Sequence, residues 1–316
     1  MIGHDDIIWP EMPFGLDRLE LVARVGSHSH GTYIPPEDPD SIDDQDIVGV
    51  AIPPARYYLG ISRWENASSF QGPWDVVVYE YRKVVRLMMK QNPNVLCLLW
   101  LDPEDYLHVG PAWRLLIDHR GLFRHRDGAL NAFFGYATAQ LRKMIKGAHK
   151  GYMGEKRKAL VSRYGYDIKN AAHLVRLLHM GIEYLRDGTL AVRRTWDRDL
   201  LVEIKTGGWS LEKVQRYAGE KEQEMRAAHQ NSVLPEEIDR DAIEEFVVDS
   251  LKKRLGDRHL GLPFGREISE EERAWLSKGQ IVLAVKSYRA RTGVDLRTAL
   301  DLLKTIRVAV EGQQSR

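Results

Sequence analysis

Two short apolar segments joined by a polar loop constrain the fold of this chain more than any other feature. The first, Arg18–Val25, is followed at once by Gly26-Ser27, and the second, Asp46–Ile52, ends at a pair of prolines. Both are rich in valine, leucine or isoleucine and short for helices, so they predict β-strands. A third segment of the same kind covers Trp74–Tyr81. The first third of the chain is therefore predicted to contain a small sheet.

Acidic residues stand at the start of the second predicted strand. Asp44 and Asp46 are two residues apart, so in a strand both carboxylates lie on one face. Acids at the edge of a buried strand repel each other and resist loss of water, and a divalent metal ion would compensate both effects. A third acid from a neighbouring strand would complete a two-metal site for Mg²⁺, which prefers oxygen ligands. Asp75 is the first choice and Glu80 the second.

The Gly-Ser pair after the first strand fits the same scheme. A glycine at this position lets the backbone approach a phosphate closely, and the N–H groups of such a turn bind anions. The hydroxyl group of Ser27 adds one more donor. Two-metal sites catalyse in-line transfer of phosphoryl or nucleotidyl groups. Together, the turn and the acids indicate transfer of a phosphoryl or nucleotidyl group. His28 and His30, which follow, are expected in the phosphate loop or facing solvent, because a third zinc ligand is not evident nearby.

Beyond about residue 107, apolar residues recur at three- and four-residue steps, which predicts helices. The clearest are Phe133–Ile145, Ile168–Arg186 and Ser210–Met225. A looser stretch, Gly256–Ser269, predicts a linker before a C-terminal helical hairpin. We expect a catalytic domain over residues 1–130, a helical nucleotide- or substrate-binding domain over 131–255, and a linker with the hairpin over 256–316.

Two basic features accompany the predicted helices. Lys169, His173 and Arg176 are spaced at i, i+4 and i+7, so they share one helix face. Spacing alone favours a solvated face for these three. The segment Arg142–Arg163 contains eight lysines or arginines and a tyrosine, Tyr152. Such a segment suits a nucleic-acid backbone with a stacked base, and it suits a solvated helix end equally well.

Composition narrows the class of protein. The chain has 316 residues, 43% hydrophobic, with a net charge of +1, which is ordinary for a globular protein. Its longest apolar run, Asn94–Leu101, is far below the ~18 residues that a membrane helix needs. No signal-peptide pattern opens the sequence. The single cysteine, Cys97, precludes an intrachain disulfide, so we expect a reducing, cytoplasmic compartment and no membrane partner.

Several blocks of the sequence resemble the DNA polymerase beta-like nucleotidyltransferase superfamily, and most closely its predicted bacterial and phage branch RlaP, which is associated with RNA repair. The blocks are GSHSHGT with DDQDIVGV, PPARYYLG, DVVVYEYRKVVRLMMKQNPNVL, and FFGYATAQLRKM with YDIKNAAHLVRLL. They extend over roughly Leu19 to Glu220. The chain departs from the branch at Asp43, where a serine is usual, and at Cys97, where the branch shows an acid.

The resemblance implies an α/β (α+β) fold, in which a polymerase beta-like domain with a small mixed sheet precedes a helical domain. It implies a metal-dependent enzyme that uses two Mg²⁺ ions, with Mn²⁺ as an alternative. The residues implied as metal ligands and catalytic groups are Asp44, Asp46 and Asp75. Those implied in nucleotide binding are Gly26, Ser27, Lys169, His173 and Arg176.

The acceptor is implied by resemblance alone. It would be an RNA 3′ end, with tRNA as a candidate, and an NTP would supply the nucleotide with release of pyrophosphate. Two alternatives stay open: NMP transfer to a protein side chain, as in some antitoxins, and a non-catalytic module that binds RNA or translation machinery. The intact acids argue against the second alternative. The segment Gly279–Ile306 resembles the hairpin of the ribosomal stalk protein's C-terminal domain and could dock a partner or simply stabilise the chain. Which NTP is used and the oligomeric state stay open.

Overall fold

A computed structural model describes residues 7–35, 37, 38, 41, 43–145, 155–256, 268–292, 296, 299, 300, 303 and 304. The chain divides into two compact units. The first comprises Met1–Met12, Glu20–Ala51 and Arg63–Val247, and the second comprises Pro13–Leu19, Ile52–Ser62 and Val248–Arg316. The three-part division expected from the sequence, with limits at residues 130 and 255, stays a prediction.

A five-stranded mixed sheet lies almost entirely in the first unit. Its strands are β1 (Leu19–Arg24), β2 (Gln45–Ala51), β3 (Asn66–Gln71), β4 (Trp74–Glu80) and β5 (Tyr106–Val109). They are ordered β3-β4-β2-β1-β5. β2 and β4 are parallel, whereas β3 pairs with β4 and β5 pairs with β1 in antiparallel fashion. The three strands predicted from the sequence are therefore β1, β2 and β4, and the two edge strands are additional.

The central strands are apolar because both faces of the sheet are covered. Val76 and Val78 on β4 and Val50 on β2 have no exposed surface, and Ile47 is 1% exposed. Buried parallel strands carry near-continuous apolar runs for this reason. The starts of β2 and β4 are more open, since Asp46 is partly buried and Asp75 is exposed. Polar side chains therefore gather at one end of a rigid apolar platform.

Thirteen α-helices are formed by the described residues. They are α1 (Gly26–Ser29), α2 (Arg56–Leu59), α3 (Tyr81–Met89), α4 (Pro93–Leu96), α5 (Pro111–Asp118), α6 (Arg126–Ile145), α7 (Glu155–Tyr164), α8 (Ile168–Asp187), α9 (Arg198–Lys205), α10 (Leu211–Gln230), α11 (Arg240–Gly256), α12 (Glu270–Ser277) and α13 (Ile281–Thr292). None of them is both long and apolar enough to cross a membrane. The predicted fold class, α/β with a small mixed sheet followed by helices, is confirmed.

Helix α8 is the centre of the helical part of the first unit. It packs against α6, α9 and α10. The helix begins where the carboxylate of Asp167 accepts a hydrogen bond from Asn170 N at 3.0 Å, and it ends at Gly188, which has a φ of 72°. Such caps satisfy backbone groups that have no partner within the helix. The cap and the packing fix the rotation of α8, and so fix which of its residues meet the sheet.

The second unit has an apolar cluster of its own near the C-terminus. Its buried members are Ile268, Leu276, Ala284, Val285, Tyr288, Ala299 and Leu303. Helix α12 begins with a capping box between Ser269 and Glu272. Helix α13 supplies the first helix of the hairpin predicted over Gly279–Ile306. Most of the hairpin's second half lies outside the described residues, as does most of the predicted linker.

Candidate active site

Two of the predicted acids are direct neighbours in the sheet. In the parallel pairing of β2 and β4, Asp46 lies opposite Asp75. Neighbouring strands are about 4.8 Å apart, and paired residues point to the same face. Burial raises the pKa of Asp46 to about 7; Lys169 opposes the rise, and Asp75 and Asp44 add to it. Burial and Asp44 also raise the pKa of Asp75. The two carboxyl groups thus form one electrostatically coupled site.

Glu80, the second choice for the third acid, has a different role. It ends β4 opposite Ala51, five residues from Asp75, which corresponds to about 16 Å along a strand. Its carboxylate caps α3, accepting hydrogen bonds from Arg82 N at 2.8 Å and Lys83 N at 3.0 Å. The register of the sheet therefore places Asp75, and not Glu80, beside Asp46.

Gly26 is held against the acids so closely that only glycine fits. Its φ is +64°, and a Cβ at this position would lie 1.9 Å from Asp46 Oδ2. Residues with a side chain rarely adopt such a φ. The preceding residue, Val25, donates its backbone N–H to Asp46 O at 3.0 Å. The Gly-Ser turn and the acid-bearing strand therefore form a single local structure.

The loop after the Gly-Ser turn is held by three successive carbonyl groups. His30 O accepts a hydrogen bond from Arg194 N at 3.0 Å, and Gly31 O accepts one from Arg198 Nε at 2.8 Å. Thr32 O accepts one from Lys205 Nζ at 2.8 Å. A loop fixed at three consecutive peptide groups is pre-organised for a ligand.

Lys205 also pairs with Asp43, one of the two positions where the chain departs from the resembled branch. The two side chains are 6% and 1% exposed and form a salt bridge through Asp43 Oδ2. The same oxygen accepts a hydrogen bond from Ile34 N at 2.8 Å. Burial lowers the pKa of Lys205, and Asp43 opposes this effect. Asp43 therefore connects the start of β2 to α9 and to the loop.

A cavity of about 370 Å³ brings most of the predicted residues together. The predicted residues that line it are Gly26, Ser27, Asp46, Asp75, Lys169, His173 and Arg176. Asp44 is outside the lining; its side chain is 40% exposed, and its Oδ2 lies 4.0 Å from Lys169 Nζ. A cavity of this volume is within the range of small-molecule sites. Acids stand on the sheet side of the cavity and bases on the α8 side.

Arg176 is a buried cation and not part of a solvated helix face. It is 8% exposed, and its Nη1 lies 3.1 Å from Met180 Sδ. Burial lowers its pKa to about 10. Among the described residues, no carboxylate forms an ion pair with it. A buried guanidinium without a carboxylate partner is suited to an anionic ligand.

Among the polar atoms in the cavity lining that have no hydrogen-bond partner within the described residues are the hydroxyl oxygen of Ser27 and Nδ1 of His30, both buried. Burial, Arg176 and His173 hold the pKa of His30 well below its usual value, so its imidazole is neutral. Sequence alone leaves His30 either in the phosphate loop or facing solvent, because its position beside Arg176 and His173 depends on the folded loop.

Cys97 and Lys205 also line the cavity without having been predicted as site residues. Burial raises the pKa of the Cys97 thiol to about 11, so the thiol is neutral. Cys97 directly follows the NPNVL block, at a position where the resembled branch shows an acid, whereas none of the blocks that carry the resemblance includes Lys205. Both reach the cavity through the packing of helical segments, which local pattern does not reveal.

The carboxylate oxygens of the acids at the start of β2 and β4 are suitable ligands for a divalent metal ion. Within the part of the chain that the structure describes, no three His, Cys, Asp or Glu side chains converge closely enough to hold a metal. Asp46 and Asp75 nevertheless offer adjacent carboxylates whose pKa values are raised by burial and by repulsion from neighbouring acids, Asp75 and Asp44 for Asp46 and Asp44 for Asp75. A divalent ion would remove that repulsion, and hard oxygen ligands suit Mg²⁺. Asp44 could join them by turning away from Lys169.

Comparison with known proteins identifies the family. A family model described as RlaP, RNA repair pathway DNA polymerase beta family, matches residues 18–249, well over half of the chain. A solved structure, a nucleotidyltransferase-like protein from Exiguobacterium sibiricum, is similar with 12% identity over 87% of this chain and 86% of that chain, at a TM-score of 0.24. A comparison with the curated proteins gives no match.

Proposed function

Because the chain belongs to the RNA repair pathway DNA polymerase beta family, we propose that it is a metal-dependent nucleotidyltransferase acting on an RNA 3′ end. It would transfer NMP from an NTP to the terminal hydroxyl and release pyrophosphate. The observation that supports this most is the cavity, where Asp46 and Asp75 lie beside Gly26-Ser27 and across from the bases of α8. The RNA acceptor rests on the family's name, and tRNA is one candidate.

The proposed reaction exchanges one phosphorus–oxygen bond for another. The acceptor oxygen bonds to the α-phosphorus while the bond to the bridging oxygen of the β-phosphate breaks, and pyrophosphate leaves. Asp75 takes the proton of the acceptor hydroxyl, because its carboxylate lies beside Asp46 at the open start of β4, where an acceptor can reach it. Asp44, Asp46 and Asp75 would hold two Mg²⁺ ions, which would neutralise the phosphates and lower the pKa of the acceptor hydroxyl.

The opposite side of the cavity holds the triphosphate. The hydroxyl of Ser27 and the N–H groups of the Gly26 turn donate to the β- and γ-phosphates. Lys169 and Arg176 neutralise the leaving pyrophosphate, and His173 contacts the nucleotide. This assignment gives the buried Arg176 its missing counter-ion.

The test is incubation with each α-³²P-NTP, Mg²⁺ and total tRNA, followed by separation of RNA and protein on denaturing gels. We expect labelled RNA with one NTP preferred, and loss of the label in Asp46→Asn. Asp118→Asn, which removes an exposed carboxylate on α5, is the matched control and should retain transfer. Label on protein would move the acceptor to a side chain. Full transfer in Asp46→Asn, or no transfer by folded protein, would contradict the proposal.

A further inference from the structure

The sheet face that lines the cavity continues onto the edge strand β3. The lining residues on β4 are Asp75, Val77 and Tyr79, which alternate and therefore share a face. Their antiparallel partners on β3 are Phe70, Ser68 and Asn66. Paired residues on neighbouring strands point to the same side of a sheet. The cavity side of β3 is thus a strip next to the acids, and all three of its residues are exposed.

Phe70 completes a row that runs across three strands. Asp46 on β2 pairs with Asp75 on β4, and Asp75 pairs with Phe70 on β3. At about 4.8 Å per strand, the backbone of Phe70 is one strand from Asp75 and two strands from Asp46. The aromatic ring therefore stands next to the acid to which we assign the acceptor's proton.

The side chain of Phe70 is 66% exposed, although its strand is well anchored. On the opposite face of β3, Ser69 Oγ donates a hydrogen bond to Ile8 O at 3.1 Å. At the edge of a proposed active site, an exposed aromatic ring offers a flat apolar face on which a base can stack. Phe70 does not line the cavity itself, so it is available to a second substrate and not to the nucleotide inside.

A cation lies at the other end of the strip. Lys83 Nζ donates a hydrogen bond to Asn66 Oδ1 and stands 5.6 Å from the ring centroid of Tyr79. Its side chain is 25% exposed and forms a salt bridge with Glu65, with 3.5 Å between Lys83 Nζ and Glu65 Oε2. The charge at this end is therefore already paired, and the feature of the strip that suits a single-stranded nucleic acid is the exposed ring of Phe70, on which a base can stack.

We propose that Phe70 is the stacking platform for the unpaired terminal base of the RNA acceptor. The inference rests on the proposed function and names the residue that holds its second substrate. A base stacked on Phe70 brings its own ribose, and the 3′ hydroxyl, toward Asp75. Stacking on an aromatic ring is tolerant of sequence, because every base has a π face. The acceptor end would therefore be selected for being unpaired and not for its base.

The test measures RNA binding without NTP, so that no transfer occurs. The probes are a single-stranded RNA oligonucleotide with a free 3′ hydroxyl and the same RNA with an abasic 3′-terminal residue. We expect Phe70→Ala and Phe70→Leu to weaken binding of the intact RNA about 5- to 150-fold, the usual contribution of one stacked base. Phe70→Trp keeps an aromatic face and should bind at least as well as the wild type.

Comparison of the intact and the abasic RNA distinguishes the loss of base stacking from a general loss of contact surface. The abasic RNA should bind the wild type as weakly as the intact RNA binds Phe70→Ala, and Phe70→Ala should not weaken it further. Gln71→Ala, the next exposed residue on the other face of β3, is the matched control and should change neither affinity. In transfer assays, Phe70→Ala should raise the KM for RNA and leave the KM for NTP unchanged.

Several outcomes would overturn the platform. The first is that the wild type and Phe70→Leu bind the intact RNA equally well, and the second is that Phe70→Ala weakens binding of the intact and the abasic RNA by the same factor. The third is that the wild type binds no RNA. The fourth is that Phe70→Ala converts a dimer to a monomer, which would make β3 a contact between copies of the chain. If transfer is lost in Asp46→Asn but is unchanged in the Phe70 variants, the stacking platform is overturned and the proposed function stands. Transfer that survives in Asp46→Asn would overturn the proposed function.

Discussion

Asp46 destabilises the metal-free protein at neutral pH. Its pKa is about 7 in the folded chain against a usual 3.8, chiefly because of burial. The unfolded chain therefore releases this proton at lower pH, so the free energy of unfolding falls as the pH rises from 3.8 to about 7. Asp46→Asn removes that penalty. At pH 8 without metal, we expect the Tm of the variant to exceed that of the wild type by at least about 2 °C, since 1 kcal/mol corresponds to about 2–4 °C.

Differential scanning calorimetry with and without Mg²⁺ checks this prediction. Mg²⁺ should raise the Tm of the wild type, because it binds the folded state, and should raise that of Asp46→Asn much less. A variant that melts below the wild type at pH 8 would show that Asp46 stabilises the fold, contrary to its electrostatic environment.

Gly26 offers a second prediction at the scale of one residue. Gly26→Ala forces a Cβ into contact with Asp46 Oδ2, so we expect transfer to fall about 100-fold, as for misplacement of a reacting group by an ångström. Gly72→Ala is the matched control: its φ is +59°, and nothing lies within 4 Å of the added Cβ. Both variants carry backbone strain of about 1–2 kcal/mol. Melting curves should shift for both, and transfer rates should fall only for Gly26→Ala.

The sequence identifies candidate site residues, but it does not determine where all of them lie relative to one another in the fold. Asp44 and Asp46 follow from their spacing and the apolar strand behind them. The choice between Asp75 and Glu80 depends on the register of two parallel strands that are distant in sequence, and no local pattern encodes it. Arg176 was predicted as a nucleotide contact, yet its burial follows from the rotation of α8 against its neighbours.

At the scale of elements, the pair Asp43–Lys205 joins the start of β2 to the end of α9. Lys205→Met leaves a buried carboxylate without its counter-ion, so we expect a loss of about 3–5 kcal/mol in the free energy of unfolding. The double variant Asp43→Asn/Lys205→Met should recover part of that loss, because no charge is left unpaired. Urea denaturation of the wild type, both single variants and the double variant measures the coupling. Additive losses would mean that the two side chains act independently.

The sequence predicts those strands and helices whose hydrophobic pattern is strong. Segments β1, β2 and β4 are apolar runs, and α6, α8 and α10 have helical spacing, so these were recognisable. β3 (NASSFQ) is polar with one open face, and β5 has only four residues, so neither carries a strand pattern. Of these two strands, β3 is the one to which we assign the RNA end, and an open binding strip lacks the apolar alternation of a core strand.

At the scale of the whole molecule, the family match and the cavity fall in the same part of the chain. The match covers residues 18–249, and every residue that lines the cavity belongs to the first unit. The apolar cluster of α12 and α13 is built from residues 268–303 alone. The C-terminal segment therefore has a core that does not depend on the residues of the cavity.

This separation predicts that the C-terminal segment is dispensable for the chemistry. A chain ending at Gly256 should bind NTP with an unchanged Kd and transfer NMP to a short single-stranded RNA at the wild-type rate, because no residue of the cavity or of β3 is removed. Isothermal titration with a non-hydrolysable NTP and single-turnover transfer measure the two quantities. Retention of both, combined with weaker use of full-length tRNA, would assign the segment to recognition of the folded RNA. Loss of NTP binding in a truncated chain that still melts cooperatively would instead make the segment part of the nucleotide site.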